Sequence, residues 1–198
     1  MKKIFFILSI ISNLIFVSCN RDFNLETNNG TENTKQKIIE TFGSKKRVHY
    51  LKINTYSSFF EPTLVSTFHD ATIYFKENDK TYSQTLVEQN LENPLEQKHL
   101  LKLKIEPEVY NSFEIGQIKF EDIPIKVIEA KKMIEKQEKF TSLRLANWET
   151  HITKNNKIIN RFRILCNLKK PELVVFSYET YDFIIDENGK LKKVDFGK

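Results

Sequence analysis

The apolar positions along the chain change period more than once. Residues 4–17 are almost continuously apolar, interrupted only by Ser9, Ser12 and Asn13. Residues 20–32 are polar and without period, the pattern of a flexible tether. From residue 33 to residue 198, helical and alternating patterns succeed one another, as in one folded domain. Residues 34–41 suit a short helix with Ile38 and Ile39 turned inward, and Gly43 is placed to stop it. Residues 47–56 are strand-like, with Val48 and Tyr50 on one face and Leu51 and Ile53 on the other. Further strands are expected at 64–75 and 81–87, joined by a hairpin turn at Glu77-Asn78-Asp79-Lys80. Leu101, Leu103 and Ile105 alternate with Lys102 and Lys104, a half-buried strand closed by Pro107, and 113–120 reads as another.

A second helix is expected over 122–138. Asp122 can cap it, Pro124 suits its first turn, and Val127, Ala130 and Ile134 recur at helical spacing. Four strands follow at 140–153, 158–168, 173–185 and 190–196. In the second of them, Phe162, Ile164, Cys166 and Leu168 share one face while Arg161 and Arg163 share the other. Positions 173–176 are apolar on both faces, as in a central strand covered on both sides. Asn188-Gly189 favours a type I′ hairpin. This order predicts an α+β fold, an antiparallel sheet with two helices packed on it. Two helix-plus-four-strand halves are one version of that order, although no residue repeat links them. Such a duplicated unit would resemble small exported folds of the cystatin-like or peptidase-propeptide-like kind.

Met1-Lys2-Lys3 places positive charge ahead of the apolar run at 4–17, which is too short for a spanning helix of about twenty residues. A charged start, a short apolar core and a small residue at the end describe a secretory signal. Its end, Phe16-Val17-Ser18-Cys19, resembles the lipobox of bacterial lipoproteins, with Phe16 standing where leucine is usual. The resemblance implies a signal peptide at 1–18, cleavage before Cys19, a diacylglyceryl group on its thiol and acylation of the new amino terminus. A lipid-anchored tether would then cover 19–32. Two or three acyl chains hold a protein to a membrane firmly where a single one binds marginally. Asn20, in place of the Asp that retains some lipoproteins in the inner membrane, points to the outer membrane.

Composition adds a core and removes some partners. Hydrophobic residues make up 40% of the chain and charged ones 29%, with 16 Phe and 7 Tyr as rigid core material. Loss of Lys2 and Lys3 with the leader lowers the formal charge from +5 to +3. That small excess is spread along the chain and is mostly lysine, so nucleic acid is not an expected partner. Of the two cysteines the lipid would occupy Cys19, leaving Cys166 on an apolar strand face as a small hydrophobe.

Candidate chemistry is sparse. His49, His69, His99 and His151 lie in no metalloprotease motif, and none has a second histidine at ligand spacing. His69 and Asp70 are adjacent, so their side chains diverge unless the strand bulges. Glu149 and His151 stand two apart in a strand and share a face, with Trp148 on the core side. A metal there would need a third ligand from elsewhere. Tyr178, Glu179, Tyr181 and Asp182 form a polar aromatic run of the kind found in binding surfaces. Serine elbows, phosphate-cradling glycine loops and paired zinc cysteines are absent, and no cofactor is expected. The candidate surface residues are therefore Glu149, His151, Tyr178 and Tyr181. The expected role is a non-catalytic envelope module with a protein or peptide partner. A carrier of an apolar ligand and a hydrolase built around Glu149 and His151 are the alternatives.

Overall fold

The alternating segments at 47–56 and 140–153, far apart in the chain, lie side by side in the fold. The computed structural model describes residues 22–56, 66–78, 80–88, 99–100, 111–135, 140–168 and 178–194. Helix α1 (Asn28–Phe42) precedes β1 (Arg47–Val48), β2 (Tyr50–Thr55), β3 (Phe68–Glu77), β4 (Lys80–Val87) and the two-residue β5 (His99–Leu100). Then come β6 (Phe113–Glu114), a 3-10 turn at Ile115–Gln117 and helix α2 (Asp122–Glu135). The chain continues through β7 (Phe140–Ile152), β8 (Ile158–Leu168), β9 (Tyr178–Ile185) and β10 (Leu191–Val194). β1 pairs with β6, and the other strands form one antiparallel sheet in the order β10-β9-β8-β7-β2-β3-β4-β5. Each half is a helix followed by a four-strand meander, and the meanders join where β2 runs antiparallel to β7. The α+β architecture expected from the element order is thus the one observed.

One face of the sheet and one stripe of each helix enclose the core. Leu51, Ile53, Ala71, Ile73, Phe75, Trp148, Phe162, Ile164, Cys166, Phe183 and Ile185 are buried there with Ile38 of α1 and Ile123, Val127, Ala130 and Ile134 of α2. Trp148, Phe162 and Phe183 stack across three neighbouring strands, with ring centroids 5.0 Å and 5.3 Å apart. Truncating such a ring to alanine typically costs about 3–5 kcal/mol. Trp148 and Cys166 are therefore core residues, as their alternation suggests.

A polar knot sits beside this core. The register of β7 slips between Leu145 and Asn147, leaving backbone groups that the ladder does not satisfy. The Leu145 N–H donates to Glu26 Oε1 at 2.9 Å and to Ser66 Oγ at 3.0 Å. The Glu26 carboxylate also accepts from the Ser66 hydroxyl and from the Lys131 ammonium of α2. Thr55 Oγ1 donates to the Leu145 carbonyl at 2.6 Å, and buried Arg144 donates to the Tyr56 carbonyl at 2.7 Å.

Several local expectations change. α1 begins at Asn28, ahead of the expected residue 34, and Leu25, Gly30 and Thr31 are buried. Residues 24–32 therefore belong to the domain rather than to a tether. Their polar side chains serve local bonding: Thr27 Oγ1 accepts from the Gly30 N–H at 3.0 Å, and Asp22 accepts from the Asn24 N–H at 2.8 Å. Instead of a strand through 113–120, the ladder stops at Glu114. Gln117 Oε1 accepts the Glu114 N–H there, and the Gly116 N–H turns to the Ser44 carbonyl. The β9–β10 connection is not the type I′ hairpin expected from Asn188-Gly189. Only Gly189 of that pair has positive φ, and Asp186 Oδ1 accepts the N–H groups of both Asn188 and Lys190. The β7–β8 connection repeats this device, with Asn156 at positive φ and Thr153 Oγ1 accepting the Lys157 N–H. Expected features at 1–21, 101–105 and 173–176 lie outside the described residues.

Gly30 supplies a test of the N-terminal packing. A Cβ at that position would sit 2.1 Å from the Asn24 carbonyl oxygen, against backbone that has no side chain to swing away. In an unconstrained helix Gly→Ala stabilises by about 0.5–1 kcal/mol. Gly30→Ala is expected to reverse that sign and to destabilise by about 2 kcal/mol, measured by urea denaturation. A stabilised variant would show that the segment is not packed against α1.

Candidate binding face of the sheet

The register that buries Leu51, Ile53 and Trp148 also decides what the opposite face presents, because successive strand residues point to opposite sides. Across β2 and β7 the partners are Tyr50 and His151, Lys52 and Glu149, and Asn54 and Asn147. β8 extends these rows with Ile159, Arg161 and Arg163, and β9 sets Asp182 opposite Arg163. On the other side β3 contributes Tyr74, Thr72 and Asp70. Both described helices pack on the far side of the sheet, with the core.

The rows are tied laterally. Lys52 Nζ lies 3.2 Å from Glu149 Oε1. Arg163 grips Asp182 with two bonds, Nε to Oδ1 at 2.8 Å and Nη2 to Oδ2 at 3.1 Å, a geometry that fixes both side chains. Asn54 Nδ2 donates to Asp70 Oδ1 at 2.8 Å, and Tyr50 stacks on Tyr74 with centroids 5.2 Å apart. A cleft of about 270 Å³ opens among Lys52, Asn147, Glu149, Arg161, Phe162, Arg163 and Asp182. Its three cationic and two anionic side chains leave one positive charge in excess.

Burial sets the protonation states. Burial, then the neighbouring Arg161 guanidinium, push His151 down to about 4, against the opposing pull of Glu149. Burial also raises Tyr50, helped by the charge of Glu149 and a hydrogen bond to it. The hydrogen bond to Asp182 raises Arg163 further. At neutral pH the face therefore presents a neutral imidazole, a protonated phenol and ion pairs held in place. A general base works best with a pKa near the operating pH, and His151 lies well below it. The fixed donors, acceptors and ion pairs suit hydrogen bonding and charge recognition.

The expected site residues divide between the two sides. Glu149 and His151 share the open face, and the structure adds Tyr50 and Arg161 beside them. Tyr178 is exposed at the start of β9, with the alternation of Asp182. Tyr181 points to the core side instead, where Phe140 meets its ring edge-on at 5.9 Å and its hydroxyl donates to Glu179 at 2.9 Å. Sequence reasoning did not single out Lys52, Asn147 or Asp182 as a group, since only the β2–β7–β8–β9 order assembles them. β3 does bulge at His69, and its Nε2 lies 3.8 Å from Asp70 Oδ2 under the Tyr56 ring. His49 Nδ1 donates to the Asn111 carbonyl at 2.8 Å. Among the described residues no three His, Cys, Asp or Glu side chains are placed to hold a metal ion.

The depressed His151 pKa has a stability consequence. Its folded value of about 4 lies below the ordinary 6.5, so the unfolded chain binds more protons between those pH values. Stability from the neutral imidazole is complete above about pH 6.5 and is lost as pH falls towards 4. The loss amounts to at most about 3 kcal/mol. His151→Gln should abolish this component, so the difference in unfolding free energy between wild type and variant should shrink from pH 7 to pH 4. A constant difference across that range would contradict the assignment.

Comparison with protein-family models, with curated proteins and with solved structures finds no match to this chain.

Proposed function

We propose that this chain is an exported bacterial lipoprotein, held to the envelope by acyl chains on Cys19, whose domain is a non-catalytic binding module. The observation that carries the binding assignment is the open sheet face with its polar cleft. Fixed donors and acceptors of both signs, bordered by the Tyr50–Tyr74 stack, suit a protein or peptide segment, which offers backbone amides and mixed charges. The protonation state of His151 supports recognition over proton transfer. The apolar-carrier alternative draws on the aromatic residues, but Trp148, Phe162 and Phe183 are stacked on one another within the core. The anchor assignment rests on the lysine start, the apolar run and Val17-Ser18-Cys19, with Asn20 favouring the outer membrane.

The test is extraction of the full-length protein from its own membranes, with intact mass measurement and crosslinking in the cell. The expected species begins at Cys19 and carries added acyl mass. A chain still beginning at Met1, or one without acyl mass, overturns the anchor. A crosslinked envelope protein should be lost by about tenfold in Arg163→Ala, because that substitution breaks the cleft's bidentate pair. The pair is partly exposed and adds only about 0–1 kcal/mol to stability, so the variant remains folded. Undiminished capture by folded Arg163→Ala removes the cleft from the proposal.

A further inference from the structure

α2 is buried along one stripe, and its exposed side sets Ile125, Ile128 and Met133 among the charged Glu129, Lys132 and Glu135. Val127, Ala130 and Ile134 are within 1% of full burial, whereas Ile125, Ile128 and Met133 are 52%, 48% and 45% exposed. Ile125, Ile128 and Lys132 follow one another at i, i+3 and i+7, so they share the outward face, and Met133 lies on its flank. Isolated exposed apolar residues are ordinary, but a short stripe on one helix calls for a location as well as a composition.

The location comes from the N-terminal segment. Asp22 is held at the head of α1: Thr27 donates to its carboxylate and Asn33 Nδ2 to its carbonyl at 2.7 Å. A few residues on, the Glu26 carboxylate accepts from Lys131, which sits on α2 beside Lys132. The entering segment is thus tied to α2 through Glu26, four residues after Asp22. Cys19 precedes Asp22 by three residues, which can separate their Cα atoms by at most about 11 Å, whatever path they take. That is close to the diameter of one helix. A lipid on Cys19 would therefore leave the domain no long tether and would hold the Asp22–Glu26 segment, tied to α2 through Lys131, close to the bilayer surface.

We propose that the outward face of α2 rests on the bilayer that carries the anchor, with Ile125 and Ile128 seated among the headgroups. This rests on the assignment of Cys19 as lipidated. A helix lying in the interface buries its apolar side by about 5–10 Å, and a lysine such as Lys132 keeps its ammonium at headgroup level while its stem packs with the apolar side chains. Because α2 covers the core side of the sheet, the cleft then faces away from the membrane.

The experiment uses the full chain purified from its own membranes and placed in vesicles of phosphatidylcholine and phosphatidylglycerol. A Cys166→Ser background removes the internal thiol, and an environment-sensitive fluorophore is attached at Ile128→Cys or, as control, at exposed Thr180→Cys on the opposite sheet face. Lipids carrying a spin label quench the fluorophore on contact, intact mass reports acylation, and circular dichroism confirms that each variant is folded. The expected result is an acylated chain in which the label at 128 is quenched at least about threefold more than the label at 180. An acylated, folded chain with equal quenching at both positions overturns the seating and leaves the anchor standing. A label at 128 that is shielded from water yet not quenched indicates a second copy of the chain on this face and overturns the seating as well. A chain without acyl mass overturns the anchor, and with it the seating.

Discussion

The pairing of β2 with β7 is the constraint from which the other features follow. Among the described residues it is the only ladder that joins the two meanders, and its partners lie about a hundred residues apart in sequence. Once Ile53 stands opposite Trp148, and Leu51 opposite Thr150, the core face is decided for both halves. Pleating then sends Tyr50, Lys52, Glu149 and His151 to the other side together. A slip of one residue would exchange the two sets, burying Lys52 and Glu149 and exposing Trp148. The cost of that exchange is what makes the cleft a reproducible object.

A second device holds the seam from beneath. The irregularity in β7 at Leu145 frees a backbone N–H, and the Glu26 carboxylate fills the vacancy while holding Ser66 and Lys131. One side chain from the N-terminal segment thereby links a strand of the seam, the residues leading into β3, and α2. Thr55 and Arg144 complete the knot from β2 and β7 by bonding to neighbouring carbonyls. Bulged strands lose ladder bonds, and here nearby polar side chains replace them.

Much of the fold was legible because it is local. α2 shows its buried stripe at Val127, Ala130 and Ile134, and the turns at Asn78 and Gly189 are written in short polar runs. Alternation alone places Glu149 and His151 on one face and Trp148 on the other. The same rule separates Tyr178 from Tyr181, three positions apart, so that run was never a single surface. What could not be read was non-local. Nothing near Lys52 indicates that Glu149 will face it, and nothing near Arg163 indicates Asp182. The start of α1 was hidden for another reason: Asp22, Asn24 and Thr27 resemble a solvated linker by composition but act as caps and turn-formers, and Gly30 permits a backbone contact that leaves no hydrophobic trace.

The attachment of the N-terminal segment carries a mechanical consequence. Phe23 and Leu25 bond through their backbones to Phe68 and Ser66, and Asn24 pairs with Thr67. A pull applied to the amino end of the chain is met first by these bonds and by the Glu26 contacts. It passes directly into β3 and β7, the strands on either side of β2, without travelling through the outer strands of either meander. The domain is gripped near its middle, so tension on the amino end would be felt at the seam before it was felt anywhere else.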